Sequence, residues 1–238
     1  MKRALHKVRE HYDEVAGVYD NRYDAERGKL YYTHISDTIL SLIPGKGFLL
    51  DIGCGTGLFT EIYNTRGEAA GLDISKRMIE RAIKRLPDHF FVVGTADHLP
   101  FEDEIFDTCT SLLAFSYLDN PQSMLDEVYR ILKPGGTLAV CTLGKNLFTS
   151  GLPAVYSIGE ILKVKKIGVG SFGEHYYSTK EMYSLFKNAG YSDIAIKRCS
   201  FAHISLVDPL FDIARKMESF IEEKLPYLAY NICAKGVK

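Results

Sequence analysis

Apolar and polar positions along this chain change period again and again, and the changes fall into an ordered alternation of strands and helices. Phe48 to Ile52 is a short apolar run broken only by Asp51, the pattern of a strand buried on both faces. Gly53-Cys54-Gly55-Thr56-Gly57 turns the chain into a helix from Leu58 to Tyr63. Arg66-Gly67-Glu68 leads to a second strand, Ala69 to Ile74, and Ser75 caps a helix whose stripe is Met78, Ile79, Ala82, Ile83 and Leu86. Phe90 to Gly94 reads as a third strand and Ile105 to Leu113 as a fourth. Asn120 and Pro121 then open a helix with Met124, Leu125, Val128, Ile131 and Leu132 inward. Lys133-Pro134-Gly135-Gly136 ends it, and Thr137 to Thr142 supplies a fifth strand. Five such units predict an α/β fold with an open, mostly parallel sheet and right-handed crossovers.

The flanks follow other rhythms. Residues 1–43 predict two helices, the second with Ile35, Ile39, Leu42 and Ile43 inward. Residues 145–177 break the alternation with scattered apolar positions and glycines, the pattern of an inserted helix or lid. Ser178 and Glu181 have capping-box spacing, and Gly190 stands beyond the end of the helix they open. Tyr191 to Cys199 is a sixth strand, 204–225 a helix entered or broken near Pro209, and Tyr227 to Ala234 a final antiparallel strand. The 238 residues therefore read as one domain: a helical cover (1–43), a core (44–144), an insertion (145–177) and a segment completing the sheet (178–238).

Charge narrows the choice of partner. Lys plus Arg number 29 against 30 Asp plus Glu, which gives no strong nucleic-acid signature. No apolar run approaches the length of a transmembrane helix, and Met1 to Tyr12 lacks a secretory core. The five cysteines are widely spaced, which fits a reducing cytoplasm and predicts no metal site. The chain has 15 Tyr and no Trp, so its large amphipathic rings all carry hydroxyls.

The glycines carry the candidate chemistry. Gly53, Gly55 and Gly57 permit unusual backbone angles and close ligand approach at the end of the first strand. A dinucleotide fingerprint needs its third glycine where Leu58 stands, and no Gly-Lys-Ser or Gly-Lys-Thr follows, so neither a nicotinamide site nor a P-loop fits. Asp51-Ile52-Gly53-Cys54-Gly55-Thr56-Gly57, Asp73 at the end of the second strand, Asp97-His98, Phe106 to Ser111 and Leu132-Lys133-Pro134-Gly135-Gly136 stand in order. In that order the chain resembles the class I S-adenosylmethionine-dependent methyltransferases, particularly the ubiquinone and menaquinone methyltransferase-like group. The resemblance runs over most of the chain and is strongest from Leu50 to Val140. It implies a Rossmann-like fold: a mostly parallel seven-stranded sheet with a final antiparallel strand and helices on both faces. It also implies S-adenosylmethionine as cofactor and S-adenosylhomocysteine as product.

By resemblance, the glycine loop meets the methionyl and adenosine parts of the cofactor, Asp73 the ribose hydroxyls, and Asp97 with His98 the adenine edge. Ile74, Met78, Ala96 and Ser111 complete the cofactor side. Asp51 organises the loop, and Cys54 packs within it, since no paired base marks it as a nucleophile. Tyr19 matches a position that closes over cofactor or acceptor, and histidine is the residue type best suited to general-base work near neutral pH, so Tyr19 and His175 are the catalytic candidates. Tyr12, Tyr23, Tyr117, Tyr156 and Tyr176 are the substrate-side candidates. The expected reaction is in-line methyl transfer to a small molecule of aromatic or prenyl character, by a monomer or homodimer. A cofactor-binding regulatory module, or methylation of protein or RNA, is the alternative.

Overall fold

The computed structural model describes residues 2–146, 174–204, 206 and 208–238. The insertion expected from 145 to 177 lies outside the described residues except at its two ends.

Strand alternation explains the layering. In β1 (Leu49–Ile52), Leu50 and Ile52 pack with α6 (Pro121–Ile131) and α7 (Thr179–Asn188), while Leu49 turns to α3 (Glu26–Leu42) and α4 (Leu58–Tyr63). β5 (Leu132–Leu143) repeats the division, Leu138 and Val140 to one face, Ala139 and Cys141 to the other. Both faces are covered, so β1 and β2 (Ala69–Asp73) are buried throughout. β3 (Phe90–Val93), at the edge, leaves Phe90 58% and Val93 48% exposed.

The sheet order is β3-β2-β1-β4-β5-β7-β6, with β4 spanning Phe106–Leu112, β6 Ser192–Cys199 and β7 Asn231–Val237. β1 through β5 are parallel, and β7 runs antiparallel between β5 and β6. The chain builds outward from β1 to β3, then returns beside β1 with β4. That reversal opens a crevice at the carboxyl ends of β1 and β4, where open α/β sheets hold ligands.

Local chemistry sets the helix boundaries. Ser75 accepts the Met78 N–H at 3.1 Å and opens α5 (Lys76–Arg85). Ser178 and Glu181 form the expected reciprocal box at α7, and Gly190 takes a left-handed φ of 92° past its end. Four expectations need correction. The N-terminal region holds three helices, α1 (Lys2–Val15), α2 (Asn21–Asp24) and α3, because the chain folds back around Asp20. Ile83 is 45% exposed and outside the buried stripe of α5. β5 begins at Leu132, where the ladder with Phe106 precedes a bulge. The last strand starts at Asn231, because Pro226–Leu228 forms a 3-10 turn, and it runs on to Val237. Between these, α8 (Asp208–Lys224) fills most of the 204–225 helix. No described helix is long and apolar enough to cross a membrane.

Candidate functional site

The crevice is a cavity whose space, its open mouth included, is about 790 Å³. Its floor comes from strand ends: Ile52, Gly53 and Gly55 after β1, Asp73, Ile74 and Met78 after β2, and Ser111 to Ala114 after β4. The backbone there is specialised. Gly53 has φ +75°, and a Cβ on it would stand 2.3 Å from the Ala114 Cβ. Leu113, opposite, holds φ +60°, rare for a branched side chain and found where surrounding structure enforces it.

Asp73 accepts the Gly55 N–H at 2.9 Å through one oxygen and the Ser75 N–H at 2.8 Å through the other. Each oxygen keeps a lone pair for a further donor. Burial raises its pKa to about 6, against the pull of those two hydrogen bonds. Beneath the loop, Asp51 accepts from Thr110 at 3.0 Å and from Thr60 at 3.4 Å, and burial raises it to about 7. It braces the strand end and does not line the cavity. The Cys54 thiol is pushed up by burial and by the charges of Asp73 and Asp51, so it is a packed thiol and not an activated one.

The roof is the N-terminal cover. Leu5, Val8 and Tyr12 of α1 line the cavity with Tyr19 and Tyr117. The Tyr12 ring stands edge-on to Tyr19 at 6.1 Å and to Tyr117 at 5.9 Å. Burial raises the pKa of all three phenols, so they stay protonated and present hydroxyls and neutral ring faces.

Two polar latches hold this roof, and sequence reasoning missed both. Asp13 accepts from the Ser75 hydroxyl at 2.6 Å, tying α1 to the start of α5. Asp20, 8% exposed, accepts from the Thr56 hydroxyl at 2.5 Å, from Arg85 at 2.8 Å and from Arg81 at 3.0 Å. Arg85 also donates to the Thr56 carbonyl at 3.0 Å, so one network joins cover, glycine loop and α5. The adjacency of Asp20 to Tyr19 was the available signal.

Of the sequence-predicted residues, Tyr12, Tyr19, Gly53, Gly55, Asp73, Ile74, Met78, Ala96, Ser111 and Tyr117 converge on the cavity. Thr56 and Gly57 support the loop behind it, Thr56 through Asp20 and Gly57 as the left-handed residue before α4. Asp97 and His98 are exposed, and Thr95 and Ala96 line the wall where they were expected. Tyr23 is buried against Tyr32, with ring centroids 4.7 Å apart. His175 lies in an adjoining cavity with Tyr177 and Glu181 that shares Leu118 with the first, and its Nε2 is 3.4 Å from Glu181. Tyr176 follows it, lining neither cavity, and Tyr156 lies outside the described residues.

Folding also gathers two sets of potential ligand atoms that sequence spacing hid. Cys141, Cys199 and Cys233 meet on adjacent strands, with Cys199 and Cys233 sulfurs 3.4 Å apart. His34, Glu218 and Glu222 cluster between α3 and α8, where both carboxylates are engaged: Glu222 accepts the Ser200 N–H at 2.7 Å and Glu218 that of Ala202 at 3.2 Å.

The donor set suits an adenosyl sulfonium ligand. A carboxylate at the end of β2 has lone pairs for two vicinal hydroxyls, the glycine loop admits close backbone approach, and Met78, Ile74 and Ala96 offer an apolar bed for a flat ring. Residues 50–140 match the family model described as a methyltransferase domain. An uncharacterized protein of Methanocaldococcus jannaschii is 29% identical over 198 residues, 83% of this chain and 88% of that protein. The ubiquinone/menaquinone biosynthesis C-methyltransferase of Desulfotalea psychrophila is 31% identical over 179 residues, 68% of this chain and 73% of the relative. By contrast, the match spans 45% of the malonyl-[acyl-carrier protein] O-methyltransferase of Salmonella typhimurium, at 34% identity over 46% of this chain. The crystal structure of an S-adenosylmethionine-dependent methyltransferase from Thermotoga maritima superposes with a TM-score of 0.71 at 25% identity, over 95% of this chain and 98% of that one.

Proposed function

Because the chain belongs to the S-adenosylmethionine-dependent methyltransferase family, we propose that it transfers the cofactor's methyl group to a small-molecule acceptor seated beneath the tyrosine roof. The observation that carries this reading is the continuity of one cavity from Asp73 and the glycine loop to the ring of Tyr12, Tyr19 and Tyr117. When bound, the cofactor supplies an electrophilic methyl on a sulfonium, and in-line attack on it needs orientation and exclusion of water above all.

The chain's own residues meet those needs. Asp73 fixes the ribose end, and the Gly53 and Gly55 backbone lies close enough to hold the amino-acid end. The α1 cover excludes water, and neutral tyrosine faces suit a cationic sulfur. Tyr19 orients the acceptor by hydrogen bonding and packing; its buried, protonated phenol makes it a donor and not a base. His175, in the adjoining cavity, serves as proton acceptor only for an acceptor that reaches past Leu118. The D. psychrophila relative, named for quinone biosynthesis, supports an aromatic or prenylated body for the acceptor.

The test is incubation with methyl-labelled S-adenosylmethionine and a cell metabolite extract, followed by mass spectrometry. A labelled small molecule is the expected result. Label recovered only in protein or RNA moves the acceptor to a macromolecule, and tight S-adenosylhomocysteine binding with no labelled product makes the chain a binding module.

A further inference from the structure

All five cysteines are buried free thiols, and the fold treats them unequally. Cys141, Cys199 and Cys233 bring their sulfurs within 4.8 Å of one another, a group to which Cys54 and Cys109 do not belong. The sheet explains the meeting. Cys233 of β7 pairs directly with Cys141 of β5. On its other side β7 sets Asn231, two positions before Cys233, against Cys199 of β6. A strand repeats its faces every second residue, so all three side chains stand on one face of the sheet, packed in the cluster that holds Tyr31 and Ile35 of α3.

Three sulfurs facing one another make a ligand set. All three residues are 0% exposed, the Cys199 and Cys233 sulfurs are 3.4 Å apart, and the Ser200 hydroxyl donates to the Cys199 sulfur at 3.9 Å. A metal ion about 2.3 Å from each of three sulfurs, and in their plane, holds them about 4 Å apart, a spacing these thiols reach by small side-chain rotations. No carboxylate or imidazole belongs to the group, so a hard ion finds no ligand there, whereas sulfur selects soft ions. Three buried sulfurs suit copper(I), while structural zinc takes four ligands. Each thiol that ligates gives up its proton to solvent as the metal–sulfur bond forms. The site fills as the sheet closes, because β7, the last strand of the chain, carries Cys233 in between β5 and β6. It also backs the cofactor cavity: Leu113, in the cavity wall, donates its N–H to the Cys141 carbonyl at 2.7 Å.

We propose that Cys141, Cys199 and Cys233 form a three-sulfur site for a soft, thiophilic metal ion of the copper(I) class, which ties β6 and β7 to β5 behind the cofactor cavity. The site stands apart from methyl transfer and holds its ion whatever acceptor the cavity takes.

The test uses binding, so it needs no turnover. The full chain is refolded without oxygen, under a phosphine reductant, with copper(I), zinc(II) or magnesium(II), then desalted and weighed by native mass spectrometry. The expected product holds one copper(I) per chain, shows a thiolate-to-copper charge-transfer band in the ultraviolet, and retains no magnesium. At about a hundredfold excess of free copper(I) over its Kd, the melting temperature should rise by about 5–10 °C. Loss of an outer-shell partner already costs a metal site about 10–100-fold, so Cys199→Ala and Cys233→Ala should each weaken retention against a copper(I) chelator by at least about a hundredfold. Cys109→Ala, at a position equally buried but outside the group, should bind as the wild type does. Unchanged S-adenosylhomocysteine affinity in the loaded chain and in each variant reports a native fold, and so excludes capture by unfolded thiols. A wild-type chain that refolds and retains no copper(I) overturns the proposal. So does retention that survives both single substitutions, that is lost equally in Cys109→Ala, or that zinc(II) or magnesium(II) exceeds.

Discussion

The Asp20 latch makes the strongest claim about how the cofactor cavity is closed, and Asp20→Ala tests it. The substitution leaves the Thr56 hydroxyl, 1% exposed, without its acceptor. An orphaned buried hydroxyl costs about 1–3 kcal/mol. Arg85 keeps Glu61 at 2.8 Å and the Thr56 carbonyl at 3.0 Å. Its side chain is 25% exposed, so its loss is nearer ~1 kcal/mol. Arg81, at 37% exposed, adds a few tenths at most. The total is about 3 kcal/mol, a fall in melting temperature of about 6–12 °C for a chain of this size.

What distinguishes a latch from a merely stabilising contact is where that energy appears. The network joins the cover to the glycine loop, so its loss opens the cover as well as weakening the fold. Each 1.4 kcal/mol lost from closure lowers S-adenosylhomocysteine affinity about tenfold, so up to about a hundredfold loss is expected by calorimetry. Limited proteolysis of the N-terminal 43 residues should accelerate in parallel. Asp20→Asn, which keeps an acceptor for Thr56, should recover about half of both effects. An Asp20→Ala protein with a lowered melting temperature and unchanged S-adenosylhomocysteine affinity would refute the latch.

Three further outcomes follow from the cavity's geometry. The folded-state pKa of Asp73 is raised to about 6, so its share of stability in the free protein is present at low pH and lost as pH rises through about 6. In the proposed ribose role the carboxylate form accepts both hydroxyls, so S-adenosylhomocysteine affinity should fall as pH drops below about 6. Asp73→Ala should bind at least about tenfold more weakly at neutral pH and lose this pH dependence; an unchanged profile counts against the ribose role. Gly53→Ala and Gly55→Ala should separate fold from ligand. Both glycines have positive φ, but only the Gly53 Cβ collides, 2.3 Å from that of Ala114, whereas the nearest atom to a Cβ on Gly55 is Tyr19 Cε1 at 3.9 Å. Thermal melts should show Gly53→Ala destabilised by about 3 kcal/mol and Gly55→Ala by about 1, the latter's main deficit being in calorimetric cofactor affinity. Tyr19→Phe should leave cofactor affinity near wild type, because ring area is kept, while raising the KM for the acceptor found by labelling; unchanged steady-state kinetics would reduce Tyr19 to packing.

What could be read from the chain itself was what is local. Leu49 and Leu50 point to opposite faces because a strand has period 2, and the Ser178–Glu181 box closes within one turn, so both were visible in sequence. The glycine loop and Asp73 were legible because each ends its own strand. Boundaries failed where tertiary pairing overrode a local signal: the Lys133-Pro134-Gly135-Gly136 turn lies within β5 because Leu132 already pairs with Phe106. The site failed at longer range. Asp20 finds Thr56 36 residues away and Arg85 65 residues away, and Cys141, Cys199 and Cys233 meet only because β7 inserts between β5 and β6. Sequence names the polar groups but not which of them the fold consumes. Asp20 reads in sequence as one of 30 acids; folding spends it on three partners, Thr56, Arg81 and Arg85.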